Sequence, residues 1–128
     1  MKLTAIHHAA IICSDYAASK RFYTEVLGLK ILAENFRAQR NSYKLDLQLP
    51  DGSQVELFSF PEAPPRPSYP EARGLRHLAF VTPSVEDAKA YLESQGVAVE
   101  EIRVDEYTGK RFTFFADPDD LPLELYEA

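Results

Sequence analysis

The chain is poor in cysteine and in basic residues. Its single cysteine, Cys13, cannot form an intramolecular disulfide, which excludes a disulfide-built fold and suits a reducing cytoplasm. Its 14 lysines and arginines are outnumbered by 20 aspartates and glutamates, so the net charge is −6 and the pI is near 5.0. Because phosphate binding needs a basic field, we expect no nucleic-acid partner.

Long apolar runs are also absent. The longest uncharged apolar stretch is far short of the roughly 20 residues that span a bilayer. No charged-then-apolar leader precedes the first predicted strand, so we expect neither a membrane anchor nor secretion, and place the protein in the cytoplasm. At 128 residues the chain has the length of one domain and can bury a real core.

The sequence contains an internal repeat that carries the same polar residues twice. His8 and His77 each open a short apolar run, at an offset of 77 − 8 = 69 residues. Glu56 and Glu124 each lie inside an apolar run, at an offset of 124 − 56 = 68 residues. Two imidazoles and two carboxylates at matching points of two half-chain copies could converge on one divalent cation.

Each half reads as a strand, a helix and three further strands. Alternation in the first strand places His8 on one face and Cys13 on the other, so the cysteine is expected to serve packing. Helix N-caps are expected at Asp15 and Ser84, and helix ends at Gly28 and Gly96. The predicted strands of the first half are 3–13, 29–33, 43–49 and 54–60, and those of the second half are 75–81, 97–103, 111–116 and 121–126.

A proline-rich segment separates the halves. Its prolines forbid a helix or a central strand, so 61–74 is expected to be a semi-rigid linker between module 1 (about 1–60) and module 2 (about 75–128). The predicted fold is α+β: one domain of two βαβββ modules whose curled mixed sheets surround a cavity, with the helices on the outer face.

The four repeated residues suit a metal site. Imidazole nitrogen and carboxylate oxygen bind zinc, nickel, cobalt, iron or manganese, and four side chains leave a position for water or substrate on a five- or six-coordinate ion. The plain alternatives are a surface carboxylate for each glutamate and a hydrogen-bonded core residue for each histidine. Against the first, Glu56 and Glu124 are flanked by apolar residues, where an unpaired carboxylate is costly.

Several motifs resemble the vicinal oxygen chelate superfamily, which includes glyoxalases, bleomycin-resistance proteins and dioxygenases. The resemblance covers nearly the whole chain. The runs that carry it are His8 to Asp15, Phe22 to Gly28, Leu75 to Phe80 and Asp117 to Leu125. The order His, Glu, His, Glu is similar to the glyoxalase I branch, and the runs from Glu56, Arg103 and Lys110 are most similar to the YaeR-type bacterial members.

This resemblance implies a metal-dependent enzyme. It implies that His8, Glu56, His77 and Glu124 bind one divalent ion per site, with nickel, zinc or cobalt favoured over iron or manganese. It also implies a homodimer and a lyase or isomerase that acts on a small α-hydroxycarbonyl compound, or on its thiol adduct, through a metal-stabilised enediolate. Glu124 is the first candidate for the catalytic base and Glu56 the second.

Two departures from the family pattern bear on these expectations. Asp120 stands where the family usually has glycine, although aspartate tolerates left-handed geometry better than most residues. Counterparts of the residues that hold the carboxylates of glutathione in glyoxalase I are missing, which puts a glutathione adduct in doubt.

Substrate contacts and other functions stay open. Candidates for lining the cavity or supplying positive charge at its mouth are Arg37, Arg40, Tyr43, Lys110 and Arg111, against the plain alternative of solvated surface residues. Two other functions are a metal-dependent dioxygenase and a non-catalytic protein that sequesters a small molecule.

Overall fold

The computed structural model describes all residues, 1–128, as two compact units. The N-terminal unit is Met1–Pro64 and the C-terminal unit is Pro65–Ala128. The boundary falls within the predicted linker, where residues 61–74 form turns and irregular backbone without helix or strand. No helix is long and apolar enough to cross a bilayer.

The N-terminal unit is a βαβββ module, as predicted. Its helix α1 is short and continues into a π-helical turn, Phe22–Val26. Its elements in chain order are β1 (His8–Cys13), α1 (Tyr16–Arg21), β2 (Lys30–Arg37), β3 (Ser42–Gln48) and β4 (Gln54–Ser59).

The sheet of this unit is mixed, in the order β1-β4-β3-β2. Strand β1 runs parallel to β4, with Ala10 opposite Glu56, while the other neighbours are antiparallel. A parallel pair cannot be joined by a tight turn, so the chain must cross over between the two strands, and the helix lies on that connection.

One face of the N-terminal sheet is buried and the other is not covered by the unit's own helix. The buried face carries alternate residues of β1, β3 and β4 and meets the buried helical residues Phe22 and Tyr23. Its fully buried or nearly buried strand residues are Ile11, Cys13, Leu45, Leu47, Val55 and Leu57. We call the opposite face, which carries His8 and Glu56, the open face.

The C-terminal unit repeats this architecture. Its sheet has the order β5-β8-β7-β6, with β5 parallel to β8 and the other pairs antiparallel. Its elements are β5 (Leu78–Thr82), α2 (Val85–Ser94), β6 (Arg103–Val104), β7 (Arg111–Ala116) and β8 (Pro122–Glu127). Val85 and Leu92 of α2 are buried together with Thr113, Phe115 and Leu123. The α+β class and the duplicated βαβββ module are therefore confirmed.

The predicted helix signals are present in the structure. The Asp15 carboxylate accepts a hydrogen bond from the Ala18 amide at 3.1 Å, and the Ser84 hydroxyl accepts one from the Asp87 amide at 3.1 Å. Gly28 and Gly96 have φ of 75° and 82°, the left-handed geometry that ends a helix.

Three predicted strands are too long, and one of them, 75–81, begins only at Leu78. The segment 3–13 pairs only over His8–Cys13, because β4 begins at Gln54 and offers no partner to the residues before His7. The segment 97–103 is a strand only at its last residue, Arg103. The Lys89 ammonium group donates to the carbonyls of Val99 and Glu100, so side-chain contacts replace a strand ladder there.

The turn before β8 tolerates its aspartate. Asp120 adopts φ of 63°, and the Asp117 carboxylate accepts hydrogen bonds from the amides of Asp119 and Leu121, both at 2.9 Å. The expectation that aspartate can occupy this left-handed position is confirmed.

The left-handed turn gives a stability prediction. Asp120→Gly should change the free energy of unfolding by less than about 1 kcal/mol, because glycine removes the side-chain clash but adds chain entropy to the unfolded state. Asp120→Val should destabilise by about 1–2 kcal/mol, because a β-branched residue is strained at positive φ. Urea unfolding of both variants checks this, and equal losses would contradict the assignment of the turn.

The buried sheet face gives a second prediction. Leu57 is fully buried, whereas Leu32 is 43% exposed, so the same substitution can be compared at both sites. Leu57→Ala should lower the free energy of unfolding by about 2–5 kcal/mol through lost burial and a residual cavity. Leu32→Ala should cost less than about 1 kcal/mol in the same urea titration. Similar losses at both positions would show that the face carrying Leu57 is not the core.

Candidate metal centre

The N-terminal unit brings His8 and Glu56 together on its open face. Side chains of a strand alternate between faces, and the parallel register of β1 and β4 places Ala10 beside Glu56, so His8 is the diagonal neighbour of the glutamate. The His8 Nδ1 lies 3.5 Å from the Glu56 Oε2. The glutamate side chain is only 12% exposed, and the imidazole is 41% exposed. The pair thus presents one nitrogen and one carboxylate at an accessible position.

The C-terminal unit repeats this arrangement with His77 and Glu124. His77 directly precedes β5, and Ala79 pairs with Glu124 on β8, so the histidine is again the diagonal neighbour. The His77 Nε2 lies 2.9 Å from the Glu124 Oε2, and the glutamate side chain is again 12% exposed. The edge of the imidazole meets the Phe114 ring, with 5.0 Å between centroids.

The donor chemistry of each pair fits a divalent ion, but each pair is incomplete as a site. Imidazole nitrogen and carboxylate oxygen are the ligands of zinc-type centres, which use three or four protein donors. No group of three or more histidine, cysteine, aspartate or glutamate side chains is gathered in the chain. Each unit therefore supplies two donors, and the four-ligand centre stays a prediction.

The surroundings of the two glutamates differ. On the open face of the N-terminal unit, the Lys44 ammonium nitrogen lies 3.8 Å from Glu56 and 2.8 Å from the Asp46 Oδ1. The hydrogen bond to Asp46, with smaller contributions from the negative charges of Asp46 and Glu56, raises the pKa of Lys44. Glu56 therefore has a cationic neighbour besides its histidine.

Aromatic rings surround the second glutamate instead. Phe114 of β7 is the register partner of Glu124, and Phe112 is the partner of Tyr126. The Arg103 guanidinium lies over both phenylalanine rings, 4.9 Å from the Phe112 centroid and 5.7 Å from that of Phe114. The repeat therefore conserves the two donors while the residues beside them change from charged to aromatic.

Tyr126 anchors the turn that precedes β7. Its hydroxyl donates to the Asp105 Oδ2 at 3.0 Å and contacts the Thr108 hydroxyl at 2.5 Å. A hydrogen bond from the Tyr107 amide, followed by the one from Tyr126, lowers the pKa of Asp105. The turn at 105–110 is thus tied to the strand that carries Glu124.

A cavity of about 900 Å³ lies in the C-terminal unit next to the second pair. His77 and Phe114 form part of its wall, together with Arg66, Arg76 and Arg103. The Arg66 guanidinium donates to the Leu75 and Arg76 carbonyls, at 2.8 Å and 2.9 Å, so it stiffens the linker. The cavity is large enough to receive a small molecule beside His77.

The predicted substrate contacts are distributed over both faces. Arg37 ends β2 on the open face, with its guanidinium 4.9 Å from the centroid of Phe58, while Arg40 lies over Phe60. Tyr43 stacks on Tyr16 of α1 at 4.3 Å, on the helix side of the sheet.

The other two predicted contacts lie in the C-terminal unit. Arg111 pairs with Glu86 of α2, again on the helix side, and Lys110 is exposed in the turn before β7. Of the predicted set, Arg37 therefore shares the open face with a His–Glu pair, whereas Tyr43 and Arg111 face a helix.

The sequence reasoning missed Lys44 and Arg103. Both have signals in the sequence, because Lys44 is two residues from Asp46 in a strand of alternating pattern, and Arg103 is separated from its aromatic partners by one short turn. Neither signal shows which face of the sheet the side chain occupies. Alternation along a strand assigns a face only after the buried side of the sheet is known.

Comparison with known proteins identifies the family. The Glyoxalase/Bleomycin resistance protein/Dioxygenase superfamily matches residues 5–125. The chain is 57% identical to the uncharacterized protein YwkD of Bacillus subtilis, over 99% of each chain, and 58% identical to the uncharacterized protein YaeR of Escherichia coli, over 98% of this chain and 97% of that one.

The chain is also similar to a protein of solved structure and to two proteins named as enzymes. A glyoxalase family protein from Enterococcus faecalis superposes with a TM-score of 0.93 at 52% identity, covering 99% of this chain and 100% of that one. The chain is also 30% identical to a 2-epi-5-epi-valiolone epimerase of Actinomyces sp., over 94% of this chain and 78% of that one. It is 29% identical to a lactoylglutathione lyase of Schizosaccharomyces pombe, over 98% of this chain but only 48% of that one.

Three observations point to the same family: the duplicated βαβββ fold, the match over residues 5–125 and the identity to these relatives. The chain belongs to the Glyoxalase/Bleomycin resistance protein/Dioxygenase superfamily.

Proposed function

We propose that the protein is a divalent-metal-dependent lyase or isomerase, similar to glyoxalase I, acting on a small α-hydroxycarbonyl compound or its thiol adduct. The observation that carries the proposal is the repeated His–Glu pair, with nitrogen–oxygen distances of 3.5 Å and 2.9 Å on open sheet faces. The similarity to proteins named as a lyase and an epimerase supports this class of reaction.

His8, Glu56, His77 and Glu124 are the proposed ligands. Two carboxylates balance the charge of a dication, and superfamily members typically use a divalent metal. The nitrogen and oxygen donors suit nickel, cobalt or zinc, and also iron and manganese. When bound, the cation supplies Lewis-acid stabilisation of negative charge that develops on neighbouring substrate oxygens.

Glu124 is the proposed general base, with Glu56 as the second choice. A base must reach the proton on the carbon next to the carbonyl, and a carboxylate on an accessible face can do so. Glu124 lies among aromatic rings, which exclude water, whereas Glu56 lies 3.8 Å from the Lys44 ammonium group. Because the Lys44 ammonium group already lies beside Glu56, Glu124 is the carboxylate proposed to meet the substrate proton.

A homodimer in the cytoplasm is the proposed context. The open faces expose apolar side chains that a partner surface could cover, Ile12 at 53% and Val81 at 73%. The single cysteine, Cys13, is buried and forms no disulfide, which suits a reducing compartment. Light scattering of the purified protein tests the dimer, and a monomeric mass at micromolar concentration would contradict it.

Metal uptake gives the first functional prediction. Protein purified without chelators should contain one nickel, cobalt or zinc ion for each His8 and His77 together, that is, one ion per chain. Elemental analysis measures this ratio. His8→Ala and His77→Ala should each reduce metal affinity at least about tenfold, because one donor of a closed set is lost. Glu106→Ala, at an exposed position of the turn before β7, is the control and should retain the metal. Equal metal content in all variants would refute the ligand set.

Proton transfer gives the second functional prediction. Glu124→Gln should slow deuterium exchange at the α-carbon of an α-hydroxycarbonyl compound by about 10²–10⁴-fold in metal-loaded protein, because the general base is lost. The measurement is loss of the C–H proton signal by NMR in deuterated water, across a panel of hydroxyketones and thiol adducts. Glu101→Gln serves as a surface control and should leave the exchange rate unchanged.

The outcomes of that screen separate the candidate functions. Oxygen consumption with iron or manganese in place of exchange would point to a dioxygenase. Tight binding of small molecules without turnover on any metal would instead indicate a binding protein, a function named for a 27% identical antibiotic binding protein from Streptomyces. Exchange that persists in Glu124→Gln would remove Glu124 as the base.

A further inference from the structure

Two cations flank the Phe58 ring on the open face of the N-terminal unit. The Arg37 guanidinium lies 4.9 Å from the ring centroid, and Lys44 of β3 is the register partner of Phe58. Both side chains lie on the face that carries His8 and Glu56, because Arg37 pairs with Ser42 and Lys44 follows Ser42 by two residues.

The donors of these two side chains are only partly used. Arg37 donates from Nη2 to the Ser42 hydroxyl at 3.1 Å, while its Nε is buried without a hydrogen-bond partner. Lys44 donates to Asp46 at 2.8 Å, and its distance of 3.8 Å from Glu56 is too long for a hydrogen bond. Arg37 therefore has a buried N–H donor without an acceptor, and the Lys44 ammonium group has N–H donors besides the one that Asp46 accepts.

Other arginines near the candidate site have acceptors within the protein. Arg66 and Arg76 donate to backbone carbonyls of the linker segment, and Arg103 lies 3.6 Å from the Glu100 carboxylate. Arg37 has no carboxylate partner. Lys44 makes one hydrogen bond to a carboxylate, that of Asp46. Since the chain carries a net charge of −6, this positive pair is a local feature.

We propose that Arg37 and Lys44 bind an oxyanion group of the substrate, a carboxylate or a phosphate, beside the His8–Glu56 pair. The inference rests on the proposed function for the location of the reacting carbons, and it narrows the substrate class to α-hydroxycarbonyl compounds that carry an acid group. The Phe58 ring lies under the Arg37 guanidinium, and Phe58 is the cross-strand neighbour of Lys44, so it offers an apolar surface for the carbon chain next to that group.

Anion binding can be measured without a metal. Chelator-treated, ¹⁵N-labelled protein is titrated with inorganic phosphate, and separately with acetate, at constant ionic strength. The Nε–H resonance of Arg37 should shift with saturation, because a bound oxyanion polarises the whole guanidinium group. Saturation by phosphate alone identifies a phosphate site, by acetate alone a carboxylate site, and by both a general oxyanion site.

Variants test whether the two cations act together. Lys44→Gln should weaken the binding of the anion by about tenfold, through loss of one charge-assisted hydrogen bond, and Lys44→Arg should restore most of it. Arg21→Gln, on exposed α1, is the control for a general loss of positive charge and should leave the affinity unchanged. Circular dichroism checks that each variant is folded.

Two results would overturn the inference. One is the absence of any saturable shift with either anion, and the other is an equal loss of affinity in Arg21→Gln and Lys44→Gln. Because no metal is present in this titration, its failure is distinct from failure of the proposed metal centre, which is tested by elemental analysis and proton exchange.

Discussion

The parallel pairing of the first and last strand of each unit is the constraint on which the candidate site depends. In β1 and β4, and again in β5 and β8, this register sets a histidine diagonally beside a glutamate on one face. A shift of one residue in this register would send one of the two side chains to the helix side. The helix on the crossover connection then buries the other face, which fixes the register through the hydrophobic core.

Duplication has conserved the donors more strictly than their surroundings. Glu56 lies near Lys44 and Asp46, whereas the equivalent Glu124 has Phe114 as its cross-strand neighbour. Two equal ligands in unequal environments can take different parts in a reaction, and the role of base is proposed for Glu124. The N-terminal unit also holds Arg37 and Lys44, for which we propose anion binding, whereas the C-terminal unit has an aromatic wall.

The sequence predicts the fold class well because strands, helices and caps depend on short-range pattern, whereas each His–Glu contact depends on pairing between distant strands. Alternation assigns His8 and Cys13 to opposite faces, and the structure buries the cysteine and exposes the histidine. Strand ends are less accurate, as at 97–103, where the Lys89 side chain occupies carbonyls that a strand would use. The surroundings of the predicted substrate contacts depend on tertiary structure, since strand parity does not reveal that Arg111 has Glu86 of α2 as its partner.

Crystals of the nickel- or zinc-loaded protein, with anomalous diffraction recorded at the absorption edge of the metal, test the central claim most directly. The account predicts a single ion bonded to the side chains of His8, Glu56, His77 and Glu124, contributed by one chain or by two. Separate ions on each His–Glu pair, or an ion bound by other residues, would contradict it.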